Sequence, residues 1–390
     1  MTSSFHLKLP QQIVFGPGKF SALKNFIPSF GTKPLVVLGN ASFSTTGNYT
    51  VLKQIFTSLG IQLLSVSIGS EPSPETIDEI TTAMQEKGID LVIAIGGGST
   101  LDAGKAISAM LVEGGKINRF LEGIGTEQPS GSKLPFIAIP TTSGTGSETT
   151  SNAVISNVGS NGFKKSLRHD NFIPDLALVD PRLTLSCPQK LTATCGMDCF
   201  TQLIEGYLST AGSSVTDAMA LDGIKAVNRS LYKAYIDGDD LGARSDLAYG
   251  AMLSGIVLTN AGLGTVHGLA GTIGGLHPVP HGVICGTLMA IVNKQTLLEL
   301  QKTSTNTPAL YKYTKLGQIC CTKPGKSDSW YQDFFIDNLE RMTSQLHIPR
   351  LNQYGVTPAD IKDIIATTSN KNNPVQFDLA QLGKIIQARV

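Results

Sequence analysis

Asp198, Gln202, His267 and His281 are the residues of this chain whose types and spacing best suit a metal ion. Asp198 and Gln202 stand four apart in TCGMDCFTQLIEGYLS, whose apolar spacing is helical, so both side chains project from one face. His267 and His281 lie in GTVHGLAGTIGGLHPVPHGV, the second between a proline and a glycine. One carboxylate and two imidazoles form a suitable shell for Fe²⁺ or Zn²⁺, with a position left for a substrate oxygen. Gln202 offers a neutral amide as the fourth group. An isolated histidine is more often a surface or core residue, so on spacing alone the metal site and the plain structural reading both stand. Cys195 and Cys199 flank Asp198, and as small thiols on a buried helix they fit packing.

Two glycine-rich loops suit a nucleotide. In IAIGGGSTLDAGK, an apolar strand ends in Gly96, Gly97 and Gly98, and Ser99 opens a helix that carries Asp102 and Lys105. Glycines let a diphosphate approach the backbone, where free N–H groups and the helix dipole favour an anion. The run is not the GxGxxG fingerprint, and an ordinary tight turn explains it equally well. The loop PTTSGTGSE, residues 140–148, repeats the pattern after another strand, and its hydroxyls suit phosphate or ribose oxygens. Lys164 is either a further cation near the cofactor or a solvated surface lysine.

Up to about residue 183, β-branched runs at 34–39, 61–69, 89–99 and 134–144 alternate with amphipathic stretches such as Val51–Leu59 and Pro74–Lys87. This alternation predicts right-handed βαβ crossovers and a parallel sheet covered on both faces. From Leu191 onward, stretches such as Val215–Ile236 and Ala243–Leu263 carry apolar residues three and four apart, which predicts a helical bundle. The proline-rich IPDLALVDPRLTLSCP reads as the crossing between the halves. The expected division is therefore 1–183, an α/β nucleotide-binding domain, and 184–390, an all-helical metal and substrate domain.

Charged residues make up 16% of the 390 and the net charge is +1, without a basic run, so the chain carries no nucleic-acid footprint and its partners are expected to be small molecules. No apolar run approaches the roughly 18 residues that span a bilayer, and the N-terminus lacks signal-peptide character, so no membrane partner and a cytoplasmic location are expected. Cys187, Cys195, Cys199, Cys285, Cys320 and Cys321 form no CxxC pair, which fits reduced thiols.

Together the motifs resemble those of the iron-containing (group III) alcohol dehydrogenase family, nearly end to end. The pieces are IVFGPGKF, EPSPETIDE, IAIGGGSTLDAGKA, PTTSGTGSE, PDLALVDPRLTLSCPQKLTATCGMD, the His267 to His281 segment with its PHG ending, HIPRLNQYGV and NNP. The resemblance implies a dinucleotide-binding domain followed by a helical domain, as in dehydroquinate synthase, with metal and nicotinamide in the cleft between them. It implies that Gly96, Gly97, Gly98 and Ser99 hold the diphosphate, that Asp102 lies near the nicotinamide riboside, and that Thr141, Thr142 and Thr145 touch the cofactor. Asp198, His267 and His281 would be metal ligands, the reaction would be hydride transfer between NAD(P)H and a small aldehyde or ketone, and the enzyme would be a homodimer.

Three positions depart from the family pattern. Gln202 stands where a histidine is usual. The glycerol dehydrogenase branch manages with one Asp and two His, which brings zinc beside iron as the expected ion. Gly271 stands where many members have a histidine for proton transfer, and His277 is the nearest imidazole in sequence to replace it. The strand at 34–39 ends on Gly39 and Asn40, where NAD-preferring members often carry Asp for the ribose hydroxyls. The missing carboxylate tilts the expectation from NAD toward NADP. A metal-free reductase resembling maleylacetate reductase and, more remotely, a lyase resembling dehydroquinate synthase are the rival readings.

Overall fold

The computed structural model describes residues 4–39, 43, 45–159, 162–303 and 307–390. The first half builds eight strands, β1 (Gln12–Phe15), β2 (Pro34–Gly39), β3 (Leu64–Ile68), β4 (Leu91–Gly96), β5 (Phe136–Pro140), β6 (Asn152–Asn157), β7 (Phe163–Arg168) and β8 (Leu176–Val179). Four helices lie among them, α1 (Leu23–Phe30), α2 (Gly47–Ser58), α3 (Pro74–Met84) and α4 (Gly98–Glu113). Six strands form one sheet in the order β3-β2-β4-β5-β8-β1, and every pairing in it is parallel.

The sequences of β2, β4 and β5 are apolar without alternation because both faces are covered. Val36, Leu38, Ile93, Ile95, Ile137 and Ile139 face one core with α1 and α2. Leu35, Val37, Val92, Ala94, Phe136 and Ala138 face the other, beneath α3 and α4. Local signals set the helix starts: Ser73 accepts the Thr76 N–H at the head of α3, and Pro74 follows at the first helical position.

Two parts of the first half differ from the sequence expectation. Residues 173–188 do not simply cross between halves, because Leu176–Val179 form β8, inserted between β5 and β1. Its four residues are short and bracketed by Pro174 and Pro181, which hides the strand. The antiparallel hairpin β6–β7 was also not expected, and it stands outside the main sheet. Its Ala153, Ile155 and Leu167 complete the core over α4.

The second half is helical: α5 (Gln189–Leu208), α6 (Ser214–Ile236), α7 (Leu241–Ala261), α8 (Thr265–Leu276), α9 (His281–Thr303), α10 (Pro308–Cys320), α11 (Asp328–Gln345), α12 (Ile361–Thr367) and α13 (Leu379–Gln387). Helix α5 is buried on all sides from Gly196 to Leu208 and packs on α6, α7 and α9. Among the described residues α9 alone is long and apolar enough to cross a bilayer, but 72% of its apolar window is buried inside the protein, as in a core helix.

The loop after β5 joins the halves. Gly146 has φ +64 and lies back to back with Gly255 of α7, where a Cβ on Gly255 would meet Gly146 O at 2.1 Å and Thr149 Oγ1 at 2.3 Å. Thr149 Oγ1 donates to Met252 O at 2.9 Å beside this contact. Gly255→Ala is therefore expected to lower stability by about 1–3 kcal/mol through overpacking, read as a reduced urea midpoint.

Candidate active site

A cleft of about 450 Å³ opens where the carboxyl ends of the sheet strands meet the helical half. Gly97, Gly98 and Ser99 form one wall, Thr142 and Thr145 the next, and Asp198, Gln202, His267 and His281 the far side. Helix α4 starts at this wall with no side-chain cap on its first N–H groups, which leaves a positive helix end facing the cleft. A Cβ on Gly98 would lie 2.6 Å from Thr145 Cγ2. The glycine is thus required by the approach of the two loops.

Lys105, one turn beyond Asp102, is fully buried and ties the second loop in place. Its Nζ donates to Ser147 O at 2.9 Å, Thr150 Oγ1 at 2.8 Å and Asn152 O at 2.8 Å. Burial lowers its pKa to about 8, against the pull of Asp102 and Glu148. Asp102 lines the cleft, but Ser147 Oγ donates to its Oδ1 and the Val154 N–H to its Oδ2. The arrangement makes Asp102 a group that positions the loop lining the cleft.

The metal-suited side chains come from three helices. Asp198 and Gln202 occupy successive turns of α5, His267 lies in the first turn of α8, and His281 opens α9. Glu205, also on α5, accepts the Val266 N–H at 2.6 Å through Oε1 and the His267 Nδ1–H at 2.6 Å through Oε2. One carboxylate therefore caps the start of α8 and fixes the imidazole so that Nε2 faces Asp198. His267 Nε2 lies 3.4 Å and His281 Nε2 3.6 Å from Asp198 Oδ1. Asp198 Oδ1 and His281 Nδ1 are buried without a hydrogen-bond partner. Cys285, one turn after His281, brings Sγ to 3.6 Å from His267 Nε2 and 3.7 Å from His281 Nε2.

The electrostatics favour a cation at this point. Burial opposes ionisation of Asp198, yet His281 and His267 hold its carboxyl below the usual range. Burial alone would lower the His267 pKa, but Cys285, Glu205 and Asp198 outweigh it and raise the pKa well above the ordinary imidazole value. His281 is pulled down to about 4 by burial, so it presents a neutral ring. Two buried carboxylates, one orphaned oxygen and two converging ring nitrogens fit a divalent ion.

The family profile of iron-containing alcohol dehydrogenases matches residues 10–181, and that of the C-terminal domain of Fe-containing alcohol dehydrogenases matches residues 192–390. The NADPH-dependent butanol dehydrogenase of Clostridium saccharobutylicum is 31% identical over 389 residues, covering 97% of this chain and 96% of its own. The chain belongs to the iron-containing alcohol dehydrogenase family. It is similar also to the NAD-dependent methanol dehydrogenase of Bacillus methanolicus, 30% identical over 396 residues with 98% and 99% covered. An alcohol dehydrogenase structure from Oenococcus oeni superimposes with a TM-score of 0.87 at 27% identity, covering 99% of this chain and 100% of that one.

In this alcohol dehydrogenase not every residue singled out from sequence reaches the cleft. Gly39 and Gly96 end β2 and β4 and Thr141 follows β5, none of them among the residues that line the cleft, and the Thr141 N–H donates to Gly96 O at 2.9 Å. Asn40 falls outside the described residues. Lys164 does line the cleft but is paired with Glu71, so it is neither a free cation nor a solvated surface group. His277 does not come to the cleft: it ends α8, with Nε2 3.7 Å from Asp360 Oδ2. Gly271 is a cleft residue with nothing within 4 Å of where a Cβ would stand.

Glu205, Lys105, Glu71 and Cys285 were not singled out as site residues from sequence. Glu205 left a signal, seven residues after Asp198 and so two turns along the same helix face. Glu205→Gln is expected to weaken metal affinity about 10- to 100-fold, measured by competition with a chromogenic chelator, while the fold is kept.

Proposed function

We propose that this enzyme transfers a hydride reversibly between NAD(P)H and a small aldehyde or ketone, with an iron or zinc ion held by Asp198, His267 and His281. One observation carries the reading: a single cleft contains those three side chains together with the uncapped start of α4 and the hydroxyls of Thr142 and Thr145. When bound, the ion supplies Lewis-acid polarisation of the substrate oxygen and the nicotinamide exchanges the hydride.

The chain's own groups account for binding and orientation. The N–H groups at the head of α4 suit a diphosphate, and Gly97 and Gly98 leave room for its approach. Glu205 holds His267 through Nδ1, so that Nε2 is the atom directed at the ion, whose binding would displace the Nε2 proton. Val154, Leu191, Leu258 and Leu263 add an apolar lining suited to the carbon chain of a small alcohol. Gly271 leaves the cleft wider by the volume of a side chain.

NADP(H) is the favoured nucleotide in this reading. Strand β2 ends on Gly39, whose lack of a carboxylate removes one source of repulsion against a 2′-phosphate. The NADPH-dependent butanol dehydrogenase supports this choice, and the NAD-dependent methanol dehydrogenase supports use of the other nucleotide as well.

His267→Ala is expected to lose bound metal and to lower kcat/KM for aldehyde reduction about a thousandfold, or about 4 kcal/mol. Elemental analysis and initial rates with NADPH and NADH on an aldehyde panel check this. Full turnover by that variant after chelation would overturn the metal-assisted reading, and a higher kcat/KM with NADH would overturn the nucleotide preference.

A further inference from the structure

We infer that Cys285, and not Gln202, is the fourth metal donor, so that the ion is held by a carboxylate, two imidazoles and a thiolate. The inference rests on the metal-assisted reading above. Single donor atoms of Asp198, His267, His281 and Cys285 all lie within 4.8 Å of one another. Corners of a tetrahedron around an ion about 2.0–2.3 Å from each donor are separated by about 3.3–3.8 Å. Four of the six separations, 3.4, 3.6, 3.6 and 3.7 Å, fall in that interval, and the other two stay within 4.8 Å.

Helix geometry explains why the thiol arrives there. His281 and Cys285 are four apart on α9, so they share a face and both reach toward Asp198. The orphaned Asp198 Oδ1 and the two Nε2 atoms converge on the same spot. Gln202 is engaged elsewhere: Ser254 Oγ of α7 donates to its Oε1 at 2.9 Å. A neutral amide is also the poorer donor beside a thiolate, which selects a soft-accepting cation such as Zn²⁺ over one that prefers oxygen alone.

Cobalt(II) is the probe, because thiolate ligation gives it an intense near-ultraviolet charge-transfer band that imidazole and carboxylate do not. The full chain is stripped with a chelator and reloaded with Co²⁺, and cobalt per chain is measured beside the spectrum. The expected result is one bound cobalt with the band, bleached when Zn²⁺ displaces it. Cys285→Ser should lose the band and bind cobalt at least about tenfold more weakly, whereas Gln202→Ala should keep the band. Cys285→Ala serves if the serine variant does not fold. Cobalt bound without the band in the unaltered chain, or a band that survives both Cys285 changes, overturns the thiolate and leaves the metal-assisted reading intact. Failure to bind any cobalt overturns both.

Discussion

Two carboxylates on one buried helix set the terms for the helical half. Asp198 and Glu205 stand two turns apart on α5, with 2% and 5% of their surface exposed. Burying such groups is costly unless positive charge and hydrogen bonds surround them. Glu205 meets the requirement through the Val266 N–H and the His267 ring. Asp198 keeps one oxygen without a partner. Helices α8 and α9 bring His267 and His281 to within 3.4 and 3.6 Å of its Oδ1.

The nucleotide side is organised by a complementary device. A buried ammonium on α4 gathers the backbone and hydroxyl oxygens of the loop between β5 and β6. Asp102 fastens the same loop from the other direction through Ser147 and the Val154 N–H. The loop that lines the cleft is thus held by charged groups on the neighbouring helix, which leaves the glycines and threonines at its rim open to the cleft. Rigid scaffolding beneath an open rim is the arrangement expected where a nucleotide must bind and leave.

Much of this was legible in the sequence, and the exceptions have physical causes. The run at 34–39 is both apolar and bounded by turn residues, and it forms β2 over that same span. Val215–Ile236 shows the helical period and lies within α6. Strand β8 escaped because four residues between prolines carry too little pattern. His277 drew attention as an imidazole near His281 in sequence, but the extended stretch after α8 turns it toward Asp360. Lys164 was weighed as a cation near the cofactor or a solvated surface lysine, in both cases without a partner, since pairing with Glu71 across 93 residues leaves no trace in local spacing. Cys285 was grouped with the scattered thiols because its meaning depends on His281 beginning a helix, and the start of α9 was the unknown.

Gly146 and Gly255 sit on opposite sides of the division between sheet and bundle, with backbone touching backbone. Recombination between relatives meets a constraint at this point. A chimera that takes its nucleotide half from one parent and its helices from another inherits one member of the pair from each. If either parent carries a larger side chain there, the two backbones can no longer approach as they do here. Compatibility of exchanged halves therefore depends in part on this pair, far from the segment where the chain would be cut.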